Sequence, residues 1–175
     1  NSSIHLMLLK FVKRIAWSIN YRFWRVPFFH KYKKYKNLKK NLIISPGGVA
    51  TTILIEHVMK YVEVNCVSDR DQLKHIPNIP YSFDNNTKII FLTSNFDEVY
   101  NSLNRRGWVK YNALKLGSPL SKLYPKKILK LIFKKLFFNK IKAFKNAKNH
   151  SVLIIEYKDL WNKKAEIMKH FNIID

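Results

Sequence analysis

The stretch from Asn41 to Lys60 constrains the fold most, because an apolar run stands on each side of a glycine turn. Residues 42–44 are Leu-Ile-Ile, which predicts a short buried strand. The tetrapeptide Ser-Pro-Gly-Gly at 45–48 ends this run, since proline cannot donate a ladder hydrogen bond and glycine accepts a positive φ. From Thr51 onward, apolar residues recur every three or four positions, as on one face of a helix. The stretch therefore predicts a strand, a tight turn and a helix.

Two of the four glycines in the chain, Gly47 and Gly48, stand together in this turn. The first N–H groups of a helix lack intrahelical acceptors, so such a turn can form a concave anion site. The hydroxyls of Thr51 and Thr52 would add donors there. A connection that uses glycine only to turn the chain is the alternative.

Length and composition set the protein class. A chain of 175 residues that is 47% apolar and 14% aromatic is not disordered and is long enough for one domain with a core. The single Cys66 excludes a disulfide framework and a cysteine-based zinc cluster, and its apolar neighbours predict a buried thiol. No run reaches the ~18 apolar residues of a membrane span. Residues 1–9 do not predict a signal peptide, although the chain does not begin with Met.

The formal net charge is +22, and it is distributed unevenly. Residues 1–41 carry eleven Lys and Arg and residues 99–155 carry fourteen, and neither tract contains an acid. Such a field favours anionic partners: phosphorylated or sulfated ligands, nucleic acid or an acidic membrane surface. A general preference for lysine would explain the abundance of this residue but not the acid-free tracts.

Residues 1–41 are predicted to form a basic, aromatic-rich N-terminal helix and arm. Apolar residues at helical spacing predict a helix over 4–20, and residues 21–41 interleave aromatic side chains with Lys and Arg. This interleaving can stack the bases of a single nucleic-acid strand. An arm packed on its own domain is the favoured interpretation.

The remainder, 42–175, is predicted to be a single domain in which strands alternate with helices. Further strands are predicted at 62–66, 88–93 and 152–155, and helices from Asn95 to about Arg106, from Pro125, and over 158–170. Residues 108–124 are predicted to be a loop. This order predicts an α/β fold, a three-layer sandwich with a mostly parallel sheet, whose ligands bind at the carboxyl ends of the strands.

Three motifs at strand ends resemble those of the P-loop sulfotransferase family. Residues 48–52, Gly-Val-Ala-Thr-Thr, resemble its phosphosulfate loop, Lys/Arg-Ser-Gly-Thr-Thr. Ser94 followed by Ser102 resembles the 3′-phosphate motif, in which Arg precedes Ser by eight residues. Residues 154–160, Ile-Ile-Glu-Tyr-Lys-Asp-Leu, are similar to the Tyr-Glu-Asp-Leu strand end of the family. The resemblance implies that 42–175 is a P-loop NTPase-like, sulfotransferase-like domain.

The resemblance implies a nucleotide site with two phosphate ends. The glycine loop would bind the 5′-phosphosulfate and Ser102 the 3′-phosphate. Gly48 and Ser94 replace the two cations of the family pattern, and Arg105 or Arg106, one turn beyond Ser102, could supply the missing charge, as could Arg70 or Lys74. The predicted cofactor-binding residues are Gly47, Gly48, Val49, Ala50, Thr51, Thr52, Ser102, Arg105 and Arg106.

The implied reaction transfers a sulfuryl group from 3′-phosphoadenosine 5′-phosphosulfate (PAPS) to a hydroxyl acceptor such as a glycan. It requires in-line placement, charge stabilisation and a base for the acceptor hydroxyl. His75, in a polar segment, is the preferred base, and His57 is the second candidate. No metal is required, and the sequence contains no His/Asp/Glu cluster with metal-ligand spacing.

Two other functions remain open at this point. A kinase-like nucleotide binder is disfavoured, because no Lys follows the glycines as in Gly-x-x-x-x-Gly-Lys-Ser/Thr. A catalytically inactive P-loop protein could bind an acidic membrane, or less favourably nucleic acid, through basic segments such as 122–148 with its ten Lys. A cytoplasmic or peripheral membrane location is expected.

Overall fold

The computed structural model describes residues 2–35 and 38–173 of the chain. This part contains three strands, seven α-helices and one 3₁₀ turn, Tyr157–Asp159. In chain order the helices and strands are α1 Ser2–Arg25, α2 Pro27–His30, β1 Asn41–Ile44, α3 Thr51–Val58, β2 Lys88–Thr93, α4 Phe96–Arg105, α5 Val109–Lys115, α6 Lys126–Lys145, β3 Ser151–Glu156 and α7 Lys164–His170.

The three strands form one parallel sheet in the order β1-β2-β3. Ile43 of β1 is paired with Ile90 of β2, and Ile90 with Leu153 of β3. All three strands were predicted because each is a continuous apolar run of strand length, the pattern of strands covered on both faces. The predicted α/β class with a parallel sheet is confirmed.

The two faces of the sheet are covered differently. Ile43, Ile90, Leu92 and Ile155 belong to a core with the helices, including Phe133 of α6. The alternate strand residues, Leu42, Ile44, Ile89 and Phe91, form a second cluster on the opposite face. They pack there with Leu73, Ile76 and Phe83 of irregular chain and with Phe144 at the end of α6. The layer on this second face is therefore built largely by the long segment between α3 and β2.

The prediction of a strand at 62–66 is wrong, because this segment lies beside β1 without forming a backbone ladder. The side chain of Asn65 takes the place of a strand partner: its Oδ1 accepts from the Ile43 N–H at 2.7 Å and its Nδ2 donates to the Ile43 carbonyl at 3.0 Å. An amide side chain thus satisfies both backbone groups of β1 at this edge.

Two helix predictions also need correction. Residues 109–115, predicted to be a loop, form α5, which buries Val109 and Ala113. The last helix begins at Lys164 rather than 158, because a 3₁₀ turn and further turns follow β3. Neither helix has a side-chain cap at its start, so the usual sequence signal for an N-terminus is missing.

The aromatic arm packs on the domain, as expected. Arg25 is fully buried and donates to the carbonyls of Gln72 and His75 at 3.1 and 3.4 Å. The Tyr35 ring lies 5.8 Å from that of Phe83. Cys66 is only partly buried and contacts the Ser68 hydroxyl at 3.1 Å, so the prediction of a buried thiol is wrong.

The apolar stripe of α6 lies in the core, with Leu129, Phe133 and Phe137 buried against the sheet and neighbouring helices. Its lysines remain outside, apart from the buried Lys140. Within the residues that the structure describes, no helix combines the length and the apolarity needed to cross a bilayer.

Candidate functional site

A cleft of about 850 Å³ lies at the carboxyl ends of the strands, between the turn after β1 and the helix after β2. All nine predicted cofactor-binding residues line it, together with His75. The full lining comprises Gly47, Gly48, Val49, Ala50, Thr51, Thr52, Ile53, Lys74, His75, Ser94, Glu98, Val99, Ser102, Leu103, Arg105, Arg106, Trp108, Asn112, Tyr157 and Lys158. The three motifs therefore meet in one cavity.

The glycine turn requires glycine at both positions. Gly47 and Gly48 have φ values of +94° and +76°, a region that side chains disfavour. A Cβ on Gly47 would overlap the side-chain amide of Asn112 in α5, and one on Gly48 would lie 3.0 Å from the Val99 carbonyl oxygen in α4. The turn is thus held closely against two helices, which fixes the entry of the chain into α3.

Hydrogen bonds inside the turn use the Thr51 hydroxyl. It contacts the Ser45 hydroxyl at 2.6 Å, and the Ser45 hydroxyl accepts from the Gly47 N–H at 3.1 Å. Thr51 is buried, whereas the next residue, Thr52, is exposed. The Thr51 hydroxyl therefore shapes the loop, and Thr52 lines the cleft at the start of α3.

Lys74 places a cation at the start of α3. Its Nζ donates to the Thr52 hydroxyl at 2.6 Å and to the Val67 carbonyl at 3.0 Å, and the residue is 7% exposed. Burial lowers the pKa of this amine, and the carboxylate of Asp69 partly opposes the shift. A lysine from a distant segment thus lies beside the loop that has no cation of its own at Gly48.

A second lysine lies behind the turn. Lys140 of α6 is 1% exposed and its Nζ donates to the Ser45 carbonyl at 2.6 Å. Burial lowers the pKa of Lys140 well below its usual value, and the charge of Arg25 lowers it further. The buried cation Lys115 is paired with Asp69. The back of the turn is therefore surrounded by basic groups with a single carboxylate among them.

At the second turn, the guanidinium of Arg106 reaches back to Ser102. Its Nη2 donates to the Ser102 hydroxyl at 2.9 Å and its Nε to the Ser102 carbonyl at 3.0 Å. The same group lies 4.7 Å from the ring centroid of Trp108. Arg105 lines the cleft without these contacts. Ser94 donates a hydrogen bond to Glu98, which is the carboxylate in the lining.

The two candidate bases occupy different places. His75 lines the cleft, and its Nδ1 donates to the Ser45 carbonyl at 3.0 Å, which leaves Nε2 unprotonated in the neutral ring. Burial, followed by the charge of Lys115, lowers the pKa of His75 to about 3. His57 lies in the last turn of α3 against Tyr61, away from the cleft lining.

Sequence reasoning missed several lining residues. Trp108 and Asn112 were assigned to a loop, and the spacing of Val109 and Ala113 was the available signal for a helix there. Lys158 lies just after β3, so the third motif reaches the cleft as well. Arg70, proposed as a substitute cation, is not in the lining. Among the described residues, the His, Cys, Asp and Glu side chains form no group of three that could hold a metal ion.

The lining carries four cations, Lys74, Arg105, Arg106 and Lys158, against the one carboxylate of Glu98. Open N–H groups at the start of a helix add to this positive potential. The cleft is therefore suited to a ligand with separated anionic groups.

Comparison of the chain with protein-family models, with curated proteins and with solved structures finds no match in any of the three.

Proposed function

We propose that this cleft binds a 3′-phosphorylated adenine nucleotide, and that the protein transfers a sulfuryl group from PAPS to a hydroxyl acceptor. The proposal includes a P-loop NTPase-like, sulfotransferase-like arrangement of the domain. The observation that carries it is the convergence of both phosphate motifs on one cleft, each with a cation from outside the family pattern.

The 5′-phosphosulfate belongs at the glycine turn. The N–H groups of Thr52 and Ile53 have no intrahelical acceptor in the first turn of α3. Lys74 Nζ, bound to the Thr52 hydroxyl at 2.6 Å, is placed to neutralise charge on the leaving phosphate. Lys74 takes the role that the resemblance gives to a cation at the position of Gly48.

The 3′-phosphate belongs beside Ser102 and Arg106. A guanidinium hydrogen-bonded to that hydroxyl offers charge-assisted donors, which bind phosphate about twice as strongly as neutral ones. The exposed indole of Trp108, which lies 4.7 Å from the same guanidinium, offers a face on which the adenine can stack. The carboxylate of Glu98, the acid of the lining, accepts a hydrogen bond from Ser94.

In the reaction, the acceptor oxygen forms a new bond to sulfur as the bond from sulfur to the 5′-phosphate oxygen breaks. The acceptor hydroxyl loses its proton, and adenosine 3′,5′-bisphosphate leaves. His75 lines the cleft, and its unprotonated Nε2 is the candidate acceptor for that proton. Because its pKa is lowered to about 3, His75 is neutral before the transfer. A glycan is the acceptor class favoured by the resemblance.

The same low pKa favours a second candidate function, a catalytically inactive nucleotide-binding protein. A ring that holds a proton so weakly is a poor base. Such a protein would bind PAPS and leave the donor intact.

The test measures transfer of the sulfuryl group from donor to acceptor. Protein is incubated with sulfur-labelled PAPS and a panel of unsulfated oligosaccharides, and label transferred to the acceptor is counted. We expect transfer with the native chain, at least about tenfold slower transfer with Lys74→Met, because a charge-assisted bond contributes ~1.5–3 kcal/mol, and unchanged transfer with Lys127→Met on the outside of α6.

Tight binding of PAPS without transfer to any acceptor would assign the protein to the inactive class. Equal transfer by Lys74→Met and by the native chain would show that Lys74 has no role in the transfer.

A further inference from the structure

The first two-thirds of α1 projects from the domain. Every side chain from His5 to Trp17 is exposed, and burial begins only toward Arg25 at the end of the helix. Residues 5–20 extend over about 24 Å at the rise of an α-helix. This segment therefore contributes little to the core of the described chain.

The projecting segment is amphipathic. On a helical wheel five of its large apolar residues share one face, and these are Leu8, Phe11, Val12, Ile15 and Ile19, each between 44% and 64% exposed. The exposed Met7 and Leu9 lie at the borders of this face. Lys10, Lys13 and Arg14 lie together on the other face, with the exposed Leu6 and Trp17 beside them. An apolar face of this size on a soluble helix is normally covered by a partner.

We propose that α1 lies in the surface of an anionic membrane, with its apolar face in the acyl boundary and its cations toward the lipid phosphates. Residues 1–41 contain eleven Lys and Arg and no acid, which complements a negative leaflet. A cationic face opposite a Leu/Phe face is the pattern of helices that lie in the interface. The three cations in the middle of the segment fit that position rather than a span.

Two other occupants fit less well. A second copy of α1 would cover the apolar face but leave the cationic faces of both copies without anionic partners, since 1–41 contains no acid. Nucleic acid would neutralise the cations but leave the five large apolar side chains in water. Only a surface that is both anionic and apolar satisfies the two faces together.

Membrane contact is therefore expected at α1 and not at α6, which lies in the basic segment 122–148 considered above. The main stripe of α6, with Phe133 and Phe137, is buried in the core and is not free to enter a bilayer. The inference does not depend on the nucleotide site, because α1 residues 5–16 are absent from the cleft lining.

The experiment is co-sedimentation with vesicles of phosphatidylcholine alone and of phosphatidylcholine with one-quarter phosphatidylglycerol, at low and high salt. We expect the native chain to bind the anionic vesicles and to be released by salt. Phe11→Asp/Ile15→Asp should weaken binding at least tenfold, since burying each side chain accounts for more than about one tenfold step. The matched control is Leu123→Asp/Leu131→Asp, which alters one leucine before α6 and one within it, 75% and 69% exposed. This control should bind as the native chain does.

All four altered residues are exposed, so both double variants should keep the native melting temperature. The proposal is overturned if the native chain ignores anionic vesicles at low salt, or if the control loses as much binding as the α1 variant. A native chain that is dimeric without vesicles, fails to bind them and becomes monomeric on Phe11→Asp/Ile15→Asp would assign the face to a second copy.

Discussion

Arg106 and Arg105 are adjacent, yet the structure gives them different contacts. The Arg106 guanidinium donates to the Ser102 hydroxyl at 2.9 Å, whereas Arg105 only borders the cleft. Sequence spacing allowed either residue to serve the 3′-phosphate. Offsets of three and four residues both place a side chain on the face of Ser102, so the observed hydrogen bond, and not the spacing, selects Arg106.

The first prediction compares Arg106→Ala with Arg105→Ala. Loss of Arg106 should abolish the preference for a 3′-phosphorylated nucleotide, a change of about tenfold or more in Kd, because it removes the charge-assisted donors. Arg105→Ala is the matched control and should keep most of the preference. Calorimetric titration with adenosine 3′,5′-bisphosphate and ADP measures both, and the reverse ranking would contradict the placement of the 3′-phosphate.

His30 is a fully buried histidine that links stability to pH. Its Nδ1 lies 2.8 Å from Asn78 Oδ1 and its Nε2 2.8 Å from the Tyr35 hydroxyl, so the neutral ring donates to one and accepts from the other. Burial, followed by the charge of Arg25, lowers the pKa of His30 to about 3. An unfolded histidine has a pKa near 6.5, so the unfolded chain binds more protons between these values.

The second prediction is therefore a loss of stability as the pH falls from about 6.5 toward 3, by roughly 4 kcal/mol from this group, since each pKa unit corresponds to ~1.4 kcal/mol. Urea unfolding at several pH values measures it. His30→Gln should have lower stability at neutral pH and a shallower decline in acid. An equally steep decline in His30→Gln would show that other groups dominate.

The segment 66–75 carries Lys74 and His75 into the site, and Asp69 anchors it. Its carboxylate accepts from the Lys74 N–H at 2.9 Å and forms a buried ion pair with Lys115 of α5. Asp69 also has a φ of +59°, which Asp tolerates better than most residues. This element has no regular structure, so side-chain contacts such as those of Asp69 and of Arg25 hold it in place.

The third prediction concerns Asp69→Ala. It should reduce the free energy of unfolding by about 3–5 kcal/mol, because it leaves Lys115 as an unpaired buried cation. Glu63→Ala is the control: the Glu63 pair with Lys39 is largely exposed and should contribute less than about 1 kcal/mol. Denaturant unfolding of both variants measures the difference, and equal losses would mean that the Asp69 pair is not buried in solution.

Helices and strands could be predicted from the sequence where a local pattern of residues determines them. The three strands are uninterrupted apolar runs, and α4 is capped at its start by Asn95, whose side chain accepts from the Asp97 N–H. The segment 62–66 has a strand-like composition, but Asn65 uses its side chain where a strand would use its backbone. That choice depends on the neighbouring strand and has no local signal.

At the site, local contacts could be predicted and distant ones could not. Arg106 and Ser102 are four residues apart on one helix. By contrast, Lys74 and Thr52 are separated by 22 positions, and Lys140 and Ser45 by 95. Such contacts follow from how the elements pack, which one sequence does not specify.

Across the whole molecule, the basic side chains that give the net charge of +22 fall into an exposed group and a buried group. Most lysines of α6 remain on the surface, whereas Arg25, Lys74, Lys115 and Lys140 are buried around the glycine turn. Buried basic groups are costly unless paired or hydrogen-bonded. Lys115 is paired with Asp69, and the other three donate to carbonyl or hydroxyl oxygens. An anion bound in the cleft would offset part of this cost, so ligand binding and folding stability are expected to be coupled.

The most direct test of the nucleotide site is thermal unfolding with and without ligand. At a hundred times its Kd, adenosine 3′,5′-bisphosphate should add about 2.7 kcal/mol to the free energy of unfolding. For a domain of this size that corresponds to a rise in Tm of roughly 5–11 °C. ADP at the same concentration should give a smaller rise, because it has no 3′-phosphate for Ser102 and Arg106. Equal shifts with the two nucleotides, or none with either, would contradict a site built from both turns.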